Sequence, residues 1–138
     1  MHVLVIDDDA TFRKLLNLHL TRHGHEVSVA EDGIQGQRLA RQLLPDVIVI
    51  DYQMPATNGH VVAQRISASS ETQHIPMILV SGGAGSDVPE EIYEAGIVEV
   101  LSKLTLSEDD LTRALENAVS AKANAGVGEH SMLFPGSV

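Results

Sequence analysis

The chain has 138 residues, of which 43% are hydrophobic and 20% charged, and it contains no cysteine. This composition fits one folded domain and excludes a disordered chain, a disulfide scaffold, a thiolate metal site and a cysteine nucleophile. Nineteen acidic residues against nine lysines and arginines give a formal charge of −10, which disfavours binding to nucleic acid and favours a cation or a basic protein partner.

The sequence predicts no membrane segment and a cytoplasmic location. The longest aliphatic runs are four residues, far shorter than a membrane span. Residues 1–6 carry no basic flank and are followed by Asp7, which is unlike a signal peptide. The absence of cysteine fits a reducing compartment.

Apolar runs and helical stripes alternate along the chain. Short apolar runs predict five strands, at Val3–Ile6, Val27–Ala30, Val47–Ile50, Met77–Val80 and Val98–Leu101. Each run is followed by apolar residues at helical spacing: Phe12, Leu15, Leu16 and Leu20; Ile34, Leu39, Leu43 and Leu44; Val61, Val62 and Ile66; Val88, Ile92 and Ala95; and Leu111, Leu115, Ala118 and Val119.

Strict alternation of this kind predicts an α/β fold. We expect a flavodoxin-like, doubly wound (βα)5 arrangement, with a parallel five-stranded sheet in the order 2-1-3-4-5 and ligands at the carboxyl ends of the strands. The helical periodicity ends near residue 122. We therefore expect one domain over residues 1–122 and a C-terminal tail over residues 123–138.

Polar side chains follow four of the predicted strands. Strand 1 runs into Asp7-Asp8-Asp9, strand 3 into Asp51, strand 4 into Ser81 and strand 5 into Lys103. Crowded carboxylates without cysteine or histidine favour a hard cation such as Mg²⁺. A carboxylate beside a metal, a lysine and a hydroxyl indicates phosphoryl chemistry through an acyl phosphate. The plainer alternative, that acidic residues cap helices, accounts for one residue of the triplet.

Four segments in this order resemble the receiver domain of response regulators in two-component signalling. They are residues 5–9 (Val-Ile-Asp-Asp-Asp), residues 45–59 with the spacing D-x-x-M-P-x-x-x-G, residues 75–81 (Ile-Pro-Met-Ile-Leu-Val-Ser) and residues 100–103 (Val-Leu-Ser-Lys). The resemblance covers Val3 to about Ala121.

The resemblance implies that Asp51 accepts a phosphoryl group from a histidine kinase or a histidine phosphotransfer protein. Asp8, Asp51 and the backbone carbonyl of Gln53 would bind Mg²⁺ directly, and Asp7 would act through water. Lys103 and Ser81 would contact phosphoryl oxygens. Such a domain catalyses only its own phosphorylation and dephosphorylation, and it switches conformation to signal to a downstream protein. A homodimer is left open.

Two positions depart from the family pattern. Leu104 follows the lysine where the family has a proline with a cis bond, and Val100 replaces the family's switch aromatic. Because a cis bond before a residue other than proline costs about 3–4 kcal/mol, we expect a trans bond and a rearranged loop after Lys103. We also expect a weakened or rerouted conformational switch.

Two other functions compete with this interpretation. Asp7-x-Asp9-x-Thr11 resembles the nucleophile motif of haloacid-dehalogenase-type phosphatases, with Asp7 as the nucleophile. A phosphorylation-independent interaction module is the other alternative, and it predicts no Mg²⁺ binding.

A pair of histidines forms a separate motif on the first predicted helix. His19 and His23, four residues apart, have the spacing of a zinc-binding pair, but no third ligand is identifiable in the sequence. Partly buried packing residues are the favoured interpretation of both.

Overall fold

The computed structural model describes residues 1–82 and 88–133, with side chains up to residue 121. Its strands are β1 (His2–Ile6), β2 (Glu26–Ala30), β3 (Val47–Asp51), β4 (Gln53–Met54), β5 (Thr57–Asn58), β6 (Met77–Ser81) and β7 (Ile97–Ser102). Five of them form a parallel sheet in the order β2-β1-β3-β6-β7, while β4 and β5 pair as a short antiparallel ladder after β3. The predicted strand order is therefore confirmed.

Helices follow the strands of the parallel sheet. They are α1 (Ala10–Arg22), α2 (Gly33–Leu43), α3 (Gly59–Ala68), a 3₁₀ helix (Glu90–Ala95) and α4 (Glu108–Leu133). Side chains of Asp9, Asp32 and Asn58 cap the first three by accepting hydrogen bonds from backbone N–H groups. No helix in the described ranges combines the length and the apolarity that crossing a membrane requires.

Two helical predictions need correction. The predicted fourth helix is, in the described residues, only the 3₁₀ helix that ends at Gly96, a glycine with φ of 91°. The last helix continues to Leu133, beyond the predicted domain end at residue 122. Residues 134–138 lie outside the described part of the chain, and the division into a domain and a tail stays a prediction.

The sheet has a separate hydrophobic core on each face. Strand residues alternate between these cores, because successive side chains of a strand point to opposite faces. Leu4, Ile6, Ile48 and Ile50 pack with residues of α2, α3 and the 3₁₀ helix. Val3, Val5, Val47 and Val49 pack with residues of α1 and α4.

The predicted apolar stripe of α2 is wrong in part. Ile34 is 81% exposed, and the buried residues of α2 are the small ones, Gly33, Gly36 and Ala40. A Cβ atom on Gly36 would collide with the side chain of Ile6 on the sheet. The helix therefore packs too close to the strands for large side chains at this contact.

Candidate functional site

Three carboxylates converge at the carboxyl end of the sheet. Asp51 ends β3 and Asp7 follows β1, its neighbour, in which Ile6 pairs with Ile50. One carboxylate oxygen from each of Asp7, Asp8 and Asp51 lies within 4.8 Å of the others. Asp7 and Asp51 are buried, while Asp8 is exposed. The topology thus places the predicted acidic residues together, with one side of the cluster open to solvent.

The ammonium group of Lys103 lies between two of these carboxylates. Its Nζ is 2.9 Å from Asp7 Oδ2 and 3.5 Å from Asp51 Oδ1. The same Nζ is 4.4 Å from the centroid of the Phe12 ring, within reach of a cation–π interaction. The backbone N–H of Lys103 donates to the Ser81 carbonyl at 2.8 Å, which ties the end of β7 to the end of β6.

The loop after Lys103 accommodates leucine in place of proline. No peptide bond in the described ranges is cis, so the predicted trans bond before Leu104 is confirmed. The Leu104 side chain is 76% exposed, and its backbone N–H donates to Ser102 Oγ at 3.2 Å. Lys103 therefore reaches the acidic cluster without the cis bond that the family pattern uses.

Burial and like charge dominate the electrostatics of the cluster. Burial, and then the charge of Asp7, raise the pKa of Asp51 to about 7, against the opposing effect of Lys103. Burial alone would lower the pKa of Lys103, but the hydrogen bond and charge of Asp7, together with Asp51, outweigh it and raise that pKa. Lys103 stays charged, and the cluster carries an unfavourable excess of negative charge at neutral pH.

The third residue of the acidic triplet has a structural role. Asp9 Oδ1 accepts hydrogen bonds from the backbone N–H groups of Thr11 at 3.0 Å and Phe12 at 3.4 Å, which caps α1. The backbone N–H of Asp9 in turn donates to Asp7 Oδ1 at 2.8 Å. The hypothesis that acidic residues cap helices thus explains Asp9, whose carboxylate accepts hydrogen bonds from the start of α1. It does not explain Asp7 and Asp8, whose carboxylates belong to the cluster with Asp51.

The remaining predicted site residues, Ser81 and Gln53, and the glycine that ends the D-x-x-M-P-x-x-x-G motif lie close to Asp51 along the sheet edge and the following loop. Ser81 is fully buried at the end of β6, next to Val80, which pairs with Asp51. Gln53 opens the short β4–β5 ladder two residues after Asp51. Gly59 begins α3, and its N–H donates to the Tyr52 carbonyl at 2.7 Å. A Cβ atom on Gly59 would collide with the Asp51 carbonyl oxygen, so this position requires glycine.

Two contacts at the site were not predicted from the sequence. Phe12 was assigned to the apolar stripe of α1, and nothing in that stripe indicates that its ring faces Lys103. Arg13 donates from Nη1 to the Asp7 carbonyl oxygen at 2.8 Å, across six residues of chain. Both residues lie on the first turn of α1, close to the acidic cluster. Their contacts depend on the course of the backbone from β1 into α1, which the sequence pattern does not specify.

The donor set suits a hard divalent cation. The three side chains supply carboxylate oxygens, and two of these carboxylates are buried. Mg²⁺ prefers oxygen ligands and keeps part of its water shell, which matches a cluster that is open to solvent at Asp8. A bound cation would also offset the repulsion that raises the pKa of Asp51.

Comparison with known proteins gives a consistent result. The family model for the response regulator receiver domain matches residues 3–116. Among curated relatives, the chain is 34% identical over 113 residues to the DNA-binding dual master transcriptional regulator RpaA of Synechocystis, covering 80% of this chain and 46% of RpaA. It is 40% identical over 79 residues to protein PilH of Pseudomonas aeruginosa, covering 57% of this chain and 65% of PilH.

A solved structure is similar over nearly the whole chain. The crystal structure of a response regulator receiver domain protein from Clostridium thermocellum superposes with a TM-score of 0.81 at 28% identity. The match covers 90% of this chain and 98% of that protein. The matched segment spans about half of RpaA and slightly less than two-thirds of PilH.

Proposed function

The chain belongs to the response regulator receiver domain family, and from that membership we propose that Asp51 is the phosphoacceptor of a Mg²⁺-dependent switch. The observation that carries the proposal is the cluster of Asp7, Asp8 and Asp51 with Lys103 Nζ between two of its members. The phosphoryl donor in this proposal is a histidine kinase or a histidine phosphotransfer protein, and the chain acts in the cytoplasm.

Mg²⁺ would be held by Asp8, Asp51 and the backbone carbonyl of Gln53, with Asp7 contributing through water. When bound, the ion neutralises charge on the carboxylates and on the phosphoryl oxygens. The charged form of Asp51 is the nucleophile, so lowering its pKa from about 7 makes the acceptor available at neutral pH.

In the transfer step, a carboxylate oxygen of Asp51 bonds to phosphorus as the P–N bond of the phosphohistidine breaks. The departing imidazole nitrogen keeps the electron pair of that bond and leaves as neutral imidazole once protonated from water. Lys103 is positioned to pair with an oxygen of the transferred group, since its Nζ is already 3.5 Å from Asp51 Oδ1. The product is an aspartyl phosphate.

The switch acts through the residues that meet the new anion. Contacts from Lys103 and Ser81 to the phosphoryl group bias an equilibrium between two conformations, which a downstream protein reads. Val100 stands at the position of the family's switch aromatic, is half-buried, and packs against the core next to α3 and the 3₁₀ helix. Because valine has no ring that could move together with Ser81, the conformational change passes through other packing contacts.

Phosphorylation by acetyl phosphate tests the proposal. After incubation with acetyl phosphate and Mg²⁺, mass spectrometry is expected to map one phosphoryl group to Asp51, and Asp51→Asn is expected to abolish it. Asp46→Asn is the matched control, because Asp46 is exposed and lies at the opposite end of β3. A label on Asp7 would instead support the phosphatase alternative. Absence of labelling together with absence of Mg²⁺ binding would support the interaction module.

A further inference from the structure

A buried histidine outside the acidic cluster has no hydrogen-bond partner. His19 on α1 is 7% exposed, yet neither its Nδ1 nor its Nε2 makes a hydrogen bond. Buried polar groups in folded proteins are almost always paired, and leaving one unpaired costs free energy. A role in packing therefore explains why this ring is buried, but it does not explain why both ring nitrogens lack a hydrogen-bond partner.

The structure supplies the third group that the sequence did not identify. Oε1 of Glu108, at the start of α4, is 3.3 Å from His19 Nδ1, although the two atoms are not aligned for a hydrogen bond. Ligands held at 2.0–2.1 Å from one tetrahedral zinc ion lie about 3.3 Å apart and off each other's bonding axis. The spacing of the nitrogen and the carboxylate oxygen is thus that of two ligands of one ion.

The second histidine of the pair is prepared to bind a metal. The ring centroids of His19 and His23 are 4.3 Å apart. Nδ1 of His23 lies 2.9 Å from the His19 carbonyl oxygen, an acceptor, so Nδ1 carries a hydrogen, and Nε2 is the nitrogen with the lone pair whenever the ring is neutral. A backbone carbonyl that fixes the tautomer in this way is a common partner of metal-binding histidines. His23 is exposed, which corrects the prediction that it is a partly buried packing residue.

We propose that His19, His23 and Glu108 form a zinc site that joins α1 to the start of α4, with water as the fourth ligand. Among the described residues, only the aspartate cluster has three such ligand atoms already within 4.8 Å of one another. Closure of the zinc site therefore requires a side chain to rotate, and Glu108 is free to do so because 73% of its side chain is exposed. The site shares no residue with the acidic cluster and does not depend on the proposed phosphotransfer.

Calorimetric titration with Zn²⁺ tests this site. The full chain, without an added histidine tag, is titrated in excess Mg²⁺, which competes for the aspartate cluster. We expect one equivalent of Zn²⁺ to bind, and His23→Gln and Glu108→Gln each to weaken the binding at least about tenfold, since loss of even an outer-shell partner of a metal ligand costs about that much. Both side chains are exposed, so these variants keep the fold. His74→Gln is the matched control, because His74 is exposed in the segment between α3 and β6.

Nuclear magnetic resonance of the histidine rings gives a second readout. Zn²⁺ is expected to shift the ring nitrogens of His19 and His23 and to leave those of His74 unchanged. The proposal is overturned if no stoichiometric Zn²⁺ binding occurs in excess Mg²⁺. It is equally overturned if His23→Gln and Glu108→Gln bind Zn²⁺ as tightly as the unmodified chain.

Discussion

Replacing Asp51 by asparagine is expected to stabilise the metal-free protein, and to do so more strongly as pH rises. The pKa of Asp51 is about 7 in the folded protein against 3.8 in an unperturbed aspartate. Between these values the folded chain holds a proton that the unfolded chain has released, so the wild-type protein loses stability as pH increases. The stability linked to this group is complete below pH 3.8 and is lost as pH rises through 7.

The magnitude follows from the same two pKa values. The unfolding free energy of the wild-type protein changes by about 1.36 kcal/mol per pH unit where one proton separates the two states. Because Asp51 is half-titrated near pH 7, this free energy falls by about 2 kcal/mol between pH 5 and pH 7. Asparagine has a similar shape and carries no charge at either pH. The difference in unfolding free energy between Asp51→Asn and wild type is therefore expected to widen by about 2 kcal/mol between these pH values.

Urea denaturation at pH 5 and pH 7, with EDTA present, measures this difference. Histidines and other titrating groups occur in both proteins, so their effects largely cancel. Asp46→Asn is the control, because Asp46 lies outside the acidic cluster at the opposite end of β3, and asparagine can still accept the hydrogen bond that Asp46 Oδ2 receives from the His2 N–H. Adding Mg²⁺ at pH 7 is expected to narrow the Asp51→Asn difference by stabilising wild type. A difference of equal size at both pH values would refute the argument that burial and Asp7 raise this pKa.

Three further substitutions probe the surroundings of Asp51. Gly59→Ala places a methyl group against the Asp51 carbonyl, so urea denaturation is expected to show a loss of about 1–3 kcal/mol, and an unchanged midpoint would contradict the close approach. Lys103→Met removes the cation between Asp7 and Asp51, so labelling by acetyl phosphate is expected to slow at least about tenfold, and wild-type rates would contradict its role. Asp9→Ala removes the cap of α1, so thermal denaturation is expected to show a loss of about 1 kcal/mol in unfolding free energy, while acetyl phosphate still labels Asp51. Loss of labelling in a folded variant would show that Asp9 has a role beyond capping.

The acidic cluster was predictable because it depends on topology more than on side-chain packing. Once alternation indicates a parallel sheet, residues that follow neighbouring strands must meet at one edge, as Asp7 and Asp51 do. Lys103 was predictable in the same way, even with Leu104 after it. The backbone hydrogen bond from Lys103 to Ser81 shows why, since it holds the end of β7 independently of the next residue.

Features that depend on how closely elements pack were not predictable. Apolar periodicity assigned Ile34 to the core, but the approach of α2 at Gly36 leaves room there only for small residues. The same periodicity assigned His19 and His23 to one buried face, although only His19 is buried. Glu108 could not be linked to His19 in advance, because 89 positions separate them along the chain and only the packing of α4 beside α1 brings them together.

The alternation of strand residues between the two cores constrains the number of residues in β1 and β3 as well as their identity. Asp7 comes two residues after Val5, and Asp51 two residues after Val49, and both valines point towards α1 and α4. Inserting or deleting a single residue inside β1 or β3 would turn the following carboxylate to the other face of the sheet. An insertion or deletion there would disrupt the aspartate cluster without altering any of its residues, so viable length variants should place their changes outside these strands.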